Sequence, residues 1–239
     1  LTMYEAERQS SFFTTGGLAA VHVEDRSKQG IWKGFKNKET YATSGPQILL
    51  WFDLITTSET FPMGSKVNLE KNPVFEVKAV GSFKQKPGCP DFGLSANDNA
   101  RLKKICGGEC FNPSNERRNI TRIEVIKITP QNYNDEPVDE LIEDTWKVFD
   151  CKPSQDGCKI RFSDREFQRN GRDSVYYVRA IEEPSLRVNG DNLRCEYDDQ
   201  GNCIKVNICH GSYLTDKKDD CVSLSEERAW SSPIYVNKI

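Results

Sequence analysis

His22 and Glu24 are the residues near the start of this chain whose types and spacing suit chemistry. They lie two positions apart at the end of an apolar run of strand length, so both side chains are expected to project from one face. α/β barrels place their catalytic groups at such strand ends. We therefore predict that His22 and Glu24 are catalytic, lining a pocket or contacting a metal ion. The alternative is structural, with both groups satisfied by their neighbours at a barrel rim.

Nine cysteines exceed the usual content of a reduced cytosolic protein of this size. Eight of them form four local pairs, for which we predict disulfides: Cys106/Cys110, Cys151/Cys158, Cys195/Cys203 and Cys209/Cys221. Cys89 is left over and is either free or competes for Cys106 or Cys110. None of the gaps has the Cys-x-x-Cys spacing typical of zinc sites, although zinc and free thiols remain alternatives. Disulfides indicate a periplasmic or secreted protein.

The other polar motifs favour structural interpretations. The acidic run from Asp135 to Asp144 lacks the Asp-x-Asp-x-Asp-Gly pattern of a calcium loop and is typical of a solvated turn. His210 follows Cys209, which permits a metal pair but fits an exposed loop beside a disulfide better. We expect Trp230 to pack in a core and Pro233 to end an edge strand. No phosphate-binding loop or Gly-x-Ser-x-Gly motif is present.

The elements that would position His22 and Glu24 form a strand-helix-strand pattern. The sequence predicts a strand over Leu18 to Val23, a helix over Lys28 to Lys38 with Ser27 as its N-cap, and a strand over Gln47 to Ile55. Such a unit belongs in a parallel or barrel-like sheet. It cannot bury its own apolar surface, so it needs neighbouring strands.

The predicted helix has an apolar face made of Ile31, Trp32 and Phe35. Gly30 and Gly34 each lower its intrinsic stability by about 1 kcal/mol relative to alanine. We therefore expect this helix to require tertiary packing.

From about Phe61 the pattern changes to short alternating strands separated by turns, which is typical of an antiparallel β-sandwich. The clearest alternations are Val74 to Val80, Ile123 to Ile128 and Val175 to Ile181. Lys84 to Ser114 and Asn189 to Asp220 are predicted to be cysteine-stapled loops, with a short helix over Asn97 to Ile105.

Charge and hydropathy exclude several classes of function. The net charge of -3 provides no polycationic surface for nucleic acid, and 36% hydrophobic residues suffice for a core. No apolar stretch reaches the roughly 20 residues of a membrane span.

Three parts of the chain, in order, carry a resemblance to a known family. They are Gly16 to Val21 with Ile31-Trp32 and Lys38 to Pro46, then Ile123 to Lys127 with Tyr176 to Arg179, and finally Glu226 to Ile234. Together they resemble a bacterial family of unknown function related to the PHP (polymerase and histidinol phosphatase) metal-dependent phosphoesterases. That family more often has tryptophan at the position of His22.

The resemblance implies a barrel whose strand ends hold a cluster of divalent metal ions, zinc or manganese, that activates water against a phosphoester. The His-x-His and Asp-x-His motifs of such enzymes do not occur in this chain, which has only His22 and His210. The ligands would therefore lie upstream of Leu1, and no cofactor is expected within this chain.

The expected fold is α+β and predominantly β, with residues 1–55 ending a PHP-like α/β barrel and residues 56–239 forming a sandwich-like domain. We expect this chain to be the C-terminal portion of a secreted hydrolase that acts on a small phosphoester. The chain is expected to be inactive without the N-terminal barrel portion of the same protein. The alternative is a non-catalytic extracellular binding or structural module.

Overall fold

The computed structural model describes residues 16–90, 111–188, 190, 194–207 and 222–239, which form mainly short β-strands. The α-helices are α1 (Lys28–Lys36) and α2 (Phe167–Asn170), and a short 3-10 helix spans Val138–Glu140. The strands are β1 (Leu18–Val21), β2 (Thr40–Thr43), β3 (Leu49–Ile55), β4 (Thr60–Pro62), β5 (Lys66–Leu69), β6 (Val74–Val80), β7 (Phe83–Gln85), β8 (Pro113–Arg117), β9 (Ile120–Ile128), β10 (Ile142–Asp150), β11 (Cys158–Ser163), β12 (Ser174–Glu182), β13 (Ser185–Val188), β14 (Glu196–Tyr197), β15 (Cys203–Lys205), β16 (Val222–Ser225), β17 (Arg228–Ser231) and β18 (Ile234–Lys238).

Two sheets organise these strands. The larger sheet runs β1-β2-β17-β12-β18-β5, with β9 beside β12 and β10 beside β9. The smaller sheet has the order β11-β6-β3-β4, and β7-β8, β13-β16 and β14-β15 form separate ladders. Among the described pairs, only β18 with β5 is parallel. The predicted mainly β, antiparallel architecture is therefore confirmed, and the three strongest alternations are β6, β9 and β12.

The two sheets share one hydrophobic core. Phe75 on β6 stacks on Phe52 and Phe162 of the same sheet, with ring centroids 5.4 and 5.2 Å away. Its ring also lies 4.7 Å from that of Tyr176, which belongs to β12 in the other sheet. The inward positions of the alternating strands thus meet face to face, as in a sandwich.

A buried polar link joins the same two sheets. Asp164, which follows β11, is fully buried and accepts a hydrogen bond from the Tyr176 hydroxyl at 2.7 Å. The Nζ of Lys127 on β9 lies 2.7 Å from the same carboxylate. Burial alone would raise the pKa of Asp164, but the bonds from Lys127, Tyr176 and the Glu166 amide outweigh it and hold the pKa below its ordinary value.

Two of the four predicted disulfides are confirmed. Cys151 and Cys158 connect the end of β10 to the start of β11, and Cys195 and Cys203 close the β14-β15 hairpin. Cys89 also takes part in a disulfide, so the alternative in which it is free is wrong. The remaining four predicted disulfide cysteines, Cys106, Cys110, Cys209 and Cys221, lie outside the described residues, as do His210 and the predicted helix over Asn97 to Ile105. No helix in the described part of the chain has the length and apolar character needed to cross a membrane.

The expected parallel strand-helix-strand unit is wrong. β1 and β2 flank α1 but pair antiparallel, with Leu18 opposite Thr43, because the chain turns back after the helix. β3 then leaves for the smaller sheet, where it pairs with β6. The described elements before residue 55 therefore share both sheets with those after it, and nothing in them shows a barrel.

The expected positions of Trp230 and Pro233 also differ. Trp230 is half-buried because its side chain alternates with those of the buried Ala229 and Ser231. β17 is not an edge strand, since it pairs with β12 on one side and β2 on the other. Pro233 lies between β17 and β18, which pair one after the other with β12, so it interrupts the line of the strand without reversing it.

We expect Asp164→Asn to lower the free energy of unfolding by about 3 kcal/mol at pH 7, because it leaves the buried Lys127 ammonium with only the partly exposed Glu143 carboxylate, 4.0 Å away, as a counter-charge. Tyr176→Phe removes one hydrogen bond and should lower it by about 1–2 kcal/mol. Urea denaturation measures both changes.

The pH dependence provides a check on this link. Since the folded-state pKa of Asp164 is lowered, its contribution to stability is complete above the unfolded-state pKa and is lost as the pH falls through the folded value. The difference between wild type and Asp164→Asn should shrink over that range. A difference that stays constant down to pH 2 would show that the carboxylate charge is not responsible.

Candidate functional site

His22 lies just beyond β1, which ends at Val21, and its ring is fixed by the sheet behind it. Its Nε2 donates a hydrogen bond to the Leu50 carbonyl at 2.8 Å. The rings of Tyr41 and Trp51 lie 5.4 and 5.7 Å from the imidazole, centroid to centroid. Because Nε2 carries the proton in this bond, Nδ1 is the acceptor of a neutral ring. His22 is therefore a half-buried imidazole with one nitrogen committed to the fold.

Glu24 is in a different environment, although it lines the same cavity as His22. Its side chain is 91% exposed, and its carboxylate lies 3.7 Å from Lys33 of α1. The cavity has a volume of about 390 Å³ and lies between the β1-α1 connection and the first turns of the helix. The structure thus brings the two predicted catalytic residues to one cavity, but not to one face of a strand.

A pair of carboxylates that the sequence did not indicate lies close to His22. Asp53 on β3 is directly opposite Glu76 on β6, both on the outer face of the smaller sheet. Burial raises the pKa of Asp53, and the negative charge of Glu76 raises it further, whereas His22 has the opposite effect. In the part of the chain that the structure describes, the Asp53 carboxylate has no hydrogen bond and no ion pair. We call His22, Asp53 and Glu76 the His22 cluster.

The His22 cluster has the chemistry of a proton-transfer site. A carboxyl group whose pKa is raised and an imidazole with an available Nδ1 are the types of group that enzymes use for proton transfer. Raised pKa values in partly buried like-charged pairs are typical of functional sites, although ion networks also produce them. Among the described residues, no group of three or more His, Cys, Asp and Glu side chains has a geometry that could hold a metal ion.

α1 covers one side of the cavity and packs against β1 through its glycine face, not through its apolar face. Ser27 caps the helix as predicted, accepting from the Gly30 amide at 3.0 Å. Gly34 is buried against β1, where a β-carbon would lie only 2.7 Å from the His22 carbonyl oxygen. The glycine face therefore lies inward. The apolar face points outward, with Ile31 37%, Trp32 71% and Phe35 50% exposed. We call these three residues the α1 apolar surface.

The segments that carry the family resemblance meet in the structure. β2 from the first segment pairs with β17 from the last. In the turn after β2, Ser44 donates a hydrogen bond to the buried Glu227 carboxylate and accepts one from the Arg228 amide at 2.9 Å. Glu226 forms two hydrogen bonds with the Arg122 guanidinium, at 2.8 and 2.7 Å. These residues tie the chain's described ends to the central strands, which is a structural role.

The acidic run contributes ion pairs instead of a calcium site. Glu136 pairs with Arg172 at 2.8 Å, and Asp144 pairs with Arg179 at 2.5 Å. The hydrogen bond from Arg172, together with one from the Asn132 amide, holds the pKa of Glu136 below its ordinary value.

Comparison with known proteins yields one match. A family of proteins of unknown function (DUF3604) matches residues 2–85 of the 239-residue chain. The matched range includes α1, the 390 Å³ cavity and the His22 cluster. No curated protein and no solved structure matches the chain.

We expect Asp53→Asn to stabilise the protein at pH 7 by about 0.5 kcal/mol, because it removes a like charge directly opposite Glu76. A raised folded-state pKa means that the folded protein binds this proton more readily than the unfolded chain. The stabilisation should therefore vanish as the pH falls through the folded pKa. Urea denaturation at pH 7 and pH 3 measures it, with Asp139→Asn as an exposed control. Destabilisation at pH 7 would show that the ionised carboxylate supports the fold.

Proposed function

We propose that this chain is the β-rich portion of a periplasmic or secreted PHP-like metal-dependent hydrolase acting on small phosphoesters. In this proposal the metal ligands lie in an N-terminal barrel portion of the same protein. The β-rich portion completes that barrel and shapes the mouth of its active site.

The α1 apolar surface is the observation that carries this proposal. Three large apolar side chains on one turn and a half of helix are exposed while two glycines face inward. An exposed apolar group of this kind is typical of a surface that another protein segment covers. The isolated helix has only nine residues, so packing on its outer face would also stabilise it.

The position of this surface supports a role near an active site. α1 lines the cavity that also contains His22 and Glu24. A barrel portion docked on the outer face of α1 would bring its own strand ends close to that cavity. His22 would then act through Nδ1, and Glu24 is exposed enough to reach a bound substrate or a metal ion held by the barrel.

The disulfides support the proposed periplasmic or secreted location. Cys151-Cys158 and Cys195-Cys203 are bonded, and such bonds persist in oxidising environments outside the cytosol.

A second candidate is a non-catalytic extracellular binding module. It is favoured by the shared core of the two sheets, which is extensive without a barrel, and by an open cavity between two sheet edges that carries positive charge. The two candidates differ in whether the parent protein contains His and Asp metal ligands.

We expect the 239-residue chain alone to show no phosphoesterase activity on p-nitrophenyl phosphate and to contain well under one zinc or manganese ion per molecule. The parent protein with its barrel portion should hydrolyse the same substrate when loaded with metal. Metal analysis and a colorimetric assay measure both quantities. The proposal would be contradicted if the 239-residue chain contained close to one metal ion per molecule and Glu24→Gln removed that ion.

The docking role of α1 predicts a difference between the chain and its parent. Trp32→Glu and Phe35→Glu should change the stability of the 239-residue chain by no more than about 0.5 kcal/mol, since both positions are exposed. In the parent protein they should lower the melting temperature and the activity. Lys28→Glu, an exposed position on the same helix, is the control. If both variants leave the stability and activity of the parent protein unchanged, the docking proposal is wrong.

An oxidising compartment predicts about four disulfides in protein isolated from its natural source. Intact-mass analysis with an alkylating reagent, before and after reduction, counts the thiols. Nine alkylatable cysteines before reduction would contradict the proposed location.

A further inference from the structure

A cleft with three cationic side chains lies where the edges of the two sheets meet. β10 is an edge of the larger sheet and β11 is an edge of the smaller one, and the Cys151-Cys158 disulfide holds them together. The cleft between them has a volume of about 720 Å³, within the usual range of small-molecule sites. Lys147, Arg161 and Arg165 line it together with Val74, Phe149 and Phe162, and no acidic residue among those that the structure describes does so. We call it the edge cleft.

Lys147 is held in place by the fold. Its Nζ donates a hydrogen bond to the Ser163 carbonyl at 2.8 Å, which crosses from one sheet to the other, and lies 4.0 Å from the centre of the Trp146 ring. Burial lowers the pKa of Lys147, and the charges of Arg165 and Lys127 lower it further, whereas the charge of Asp164 raises it. The ammonium is therefore positioned before any ligand arrives.

The two arginines have no partners of their own. Within the described residues, the guanidinium groups of Arg161 and Arg165 form no hydrogen bond and no ion pair. Both side chains are exposed at the rim of the cleft. Their forked donors suit bidentate binding of a tetrahedral or planar oxyanion.

Each neighbouring carboxylate is engaged by a different cation. Glu76 is opposite Arg161 in the strand pairing, but its carboxylate lies 2.8 Å from Lys159. Asp164 points into the core, where Lys127 and Tyr176 bind it. Glu166 pairs with Arg169 on α2. The positive charge in the cleft is therefore not neutralised by the residues around it.

The chemistry of the cleft wall identifies the rest of the ligand. Phe149, Phe162 and Val74 provide an apolar floor beside the cations. Arg161 and Val74 also line an adjoining cavity of about 500 Å³ whose walls include Ile55, Leu69 and Pro73. An oxyanion held by the arginines could therefore carry an apolar group into either cavity.

We propose that the edge cleft binds a small organic oxyanion, a phosphate or sulfate ester with an apolar group, through Arg161, Arg165 and Lys147. The site adjoins the His22 cluster, since Arg161 is paired across the strands with Glu76, but it does not require the hydrolase proposal. The ester stays intact in this step, since the cleft contributes cations and apolar surface but no nucleophile.

Isothermal titration of the 239-residue chain with phenyl phosphate and phenyl sulfate tests the proposal. We expect one binding site per chain, and the tighter of the two esters identifies the preferred anion. Inorganic phosphate should bind at least about fivefold more weakly than phenyl phosphate, and phenol should not bind. Equal binding of inorganic phosphate and phenyl phosphate would overturn the apolar part of the proposal. Absence of binding by both esters at millimolar concentration would overturn it entirely.

Charge-neutral variants locate the site. Arg161→Gln and Arg165→Gln should each weaken phenyl phosphate binding at least about tenfold, because each removes a charged hydrogen-bond donor. Arg161→Lys keeps the charge but loses the fork and should give a smaller loss. Arg26→Gln, an exposed arginine that also has no ion pair within the described residues, controls for net charge. Equal weakening by Arg26→Gln would show diffuse attraction instead of a site.

The competing explanation is that these cations only prevent edge-to-edge pairing of β10 and β11 with other chains. It predicts that the two glutamine variants self-associate in analytical ultracentrifugation while their monomers bind phenyl phosphate as wild type does. That result would overturn the proposal. Because both arginines are exposed, circular dichroism should show unchanged folding of all variants.

Discussion

The buried carboxylate of Asp164 is the interaction on which this architecture depends most. Asp164 belongs to the end of the smaller sheet, yet both of its side-chain partners, Lys127 and Tyr176, belong to the larger one. The aromatic rings around Phe75 bring the same sheets together without fixing their relative position, since apolar contacts are not directional. A hydrogen-bonded ion pair in the core is directional, and breaking it leaves an uncompensated charge. The Cys151-Cys158 disulfide and the bond from Lys147 to the Ser163 carbonyl then hold the edges β10 and β11 beside each other, where the edge cleft lies.

The orientation of α1 is the second constraint. A helix usually turns its large apolar residues towards the sheet, but here the backbone of α1 approaches β1 through Gly34. Any side chain at that position would meet the His22 carbonyl or Val21, so the approach is possible only for glycine. The consequence is a helix whose apolar face is available to another segment. The same close approach places α1 against the cavity of His22 and Glu24, which links the docking surface to the candidate chemistry.

The His22 cluster and the edge cleft are neighbours on the smaller sheet, where Glu76 lies opposite Arg161, but they have opposite electrostatics. The His22 cluster consists of two carboxylates that repel each other and an imidazole beside them. Its three residues lie within the range that matches a family of unknown function. The second is formed by cations that have no ion pair within the described ranges of the chain, and it lies mostly outside the matched range. A hydrolase assembled with a barrel portion would use the first for chemistry. The second can recognise an anion in either proposed function, because it depends only on the two sheet edges.

The sequence by itself determined the period-two strands β6, β9 and β12, the Ser27 cap and two disulfides, because each depends on residues close together in the chain. The direction of pairing between β1 and β2 and the assignment of β3 to the other sheet depend on distant partners, and the expectation of a parallel unit failed there. The spacing of His22 and Glu24 singled them out in the sequence, whereas the cavity that both residues line is evident only in the structure. Asp53 and Arg161 had no local signal, because the neighbours that raise the pKa of the Asp53 carboxyl and the walls of the cleft beside Arg161 are brought together only by the tertiary structure. Which face of α1 was buried was likewise decided by tertiary packing, since the steric limit at Gly34 arises from a strand and not from the helix itself.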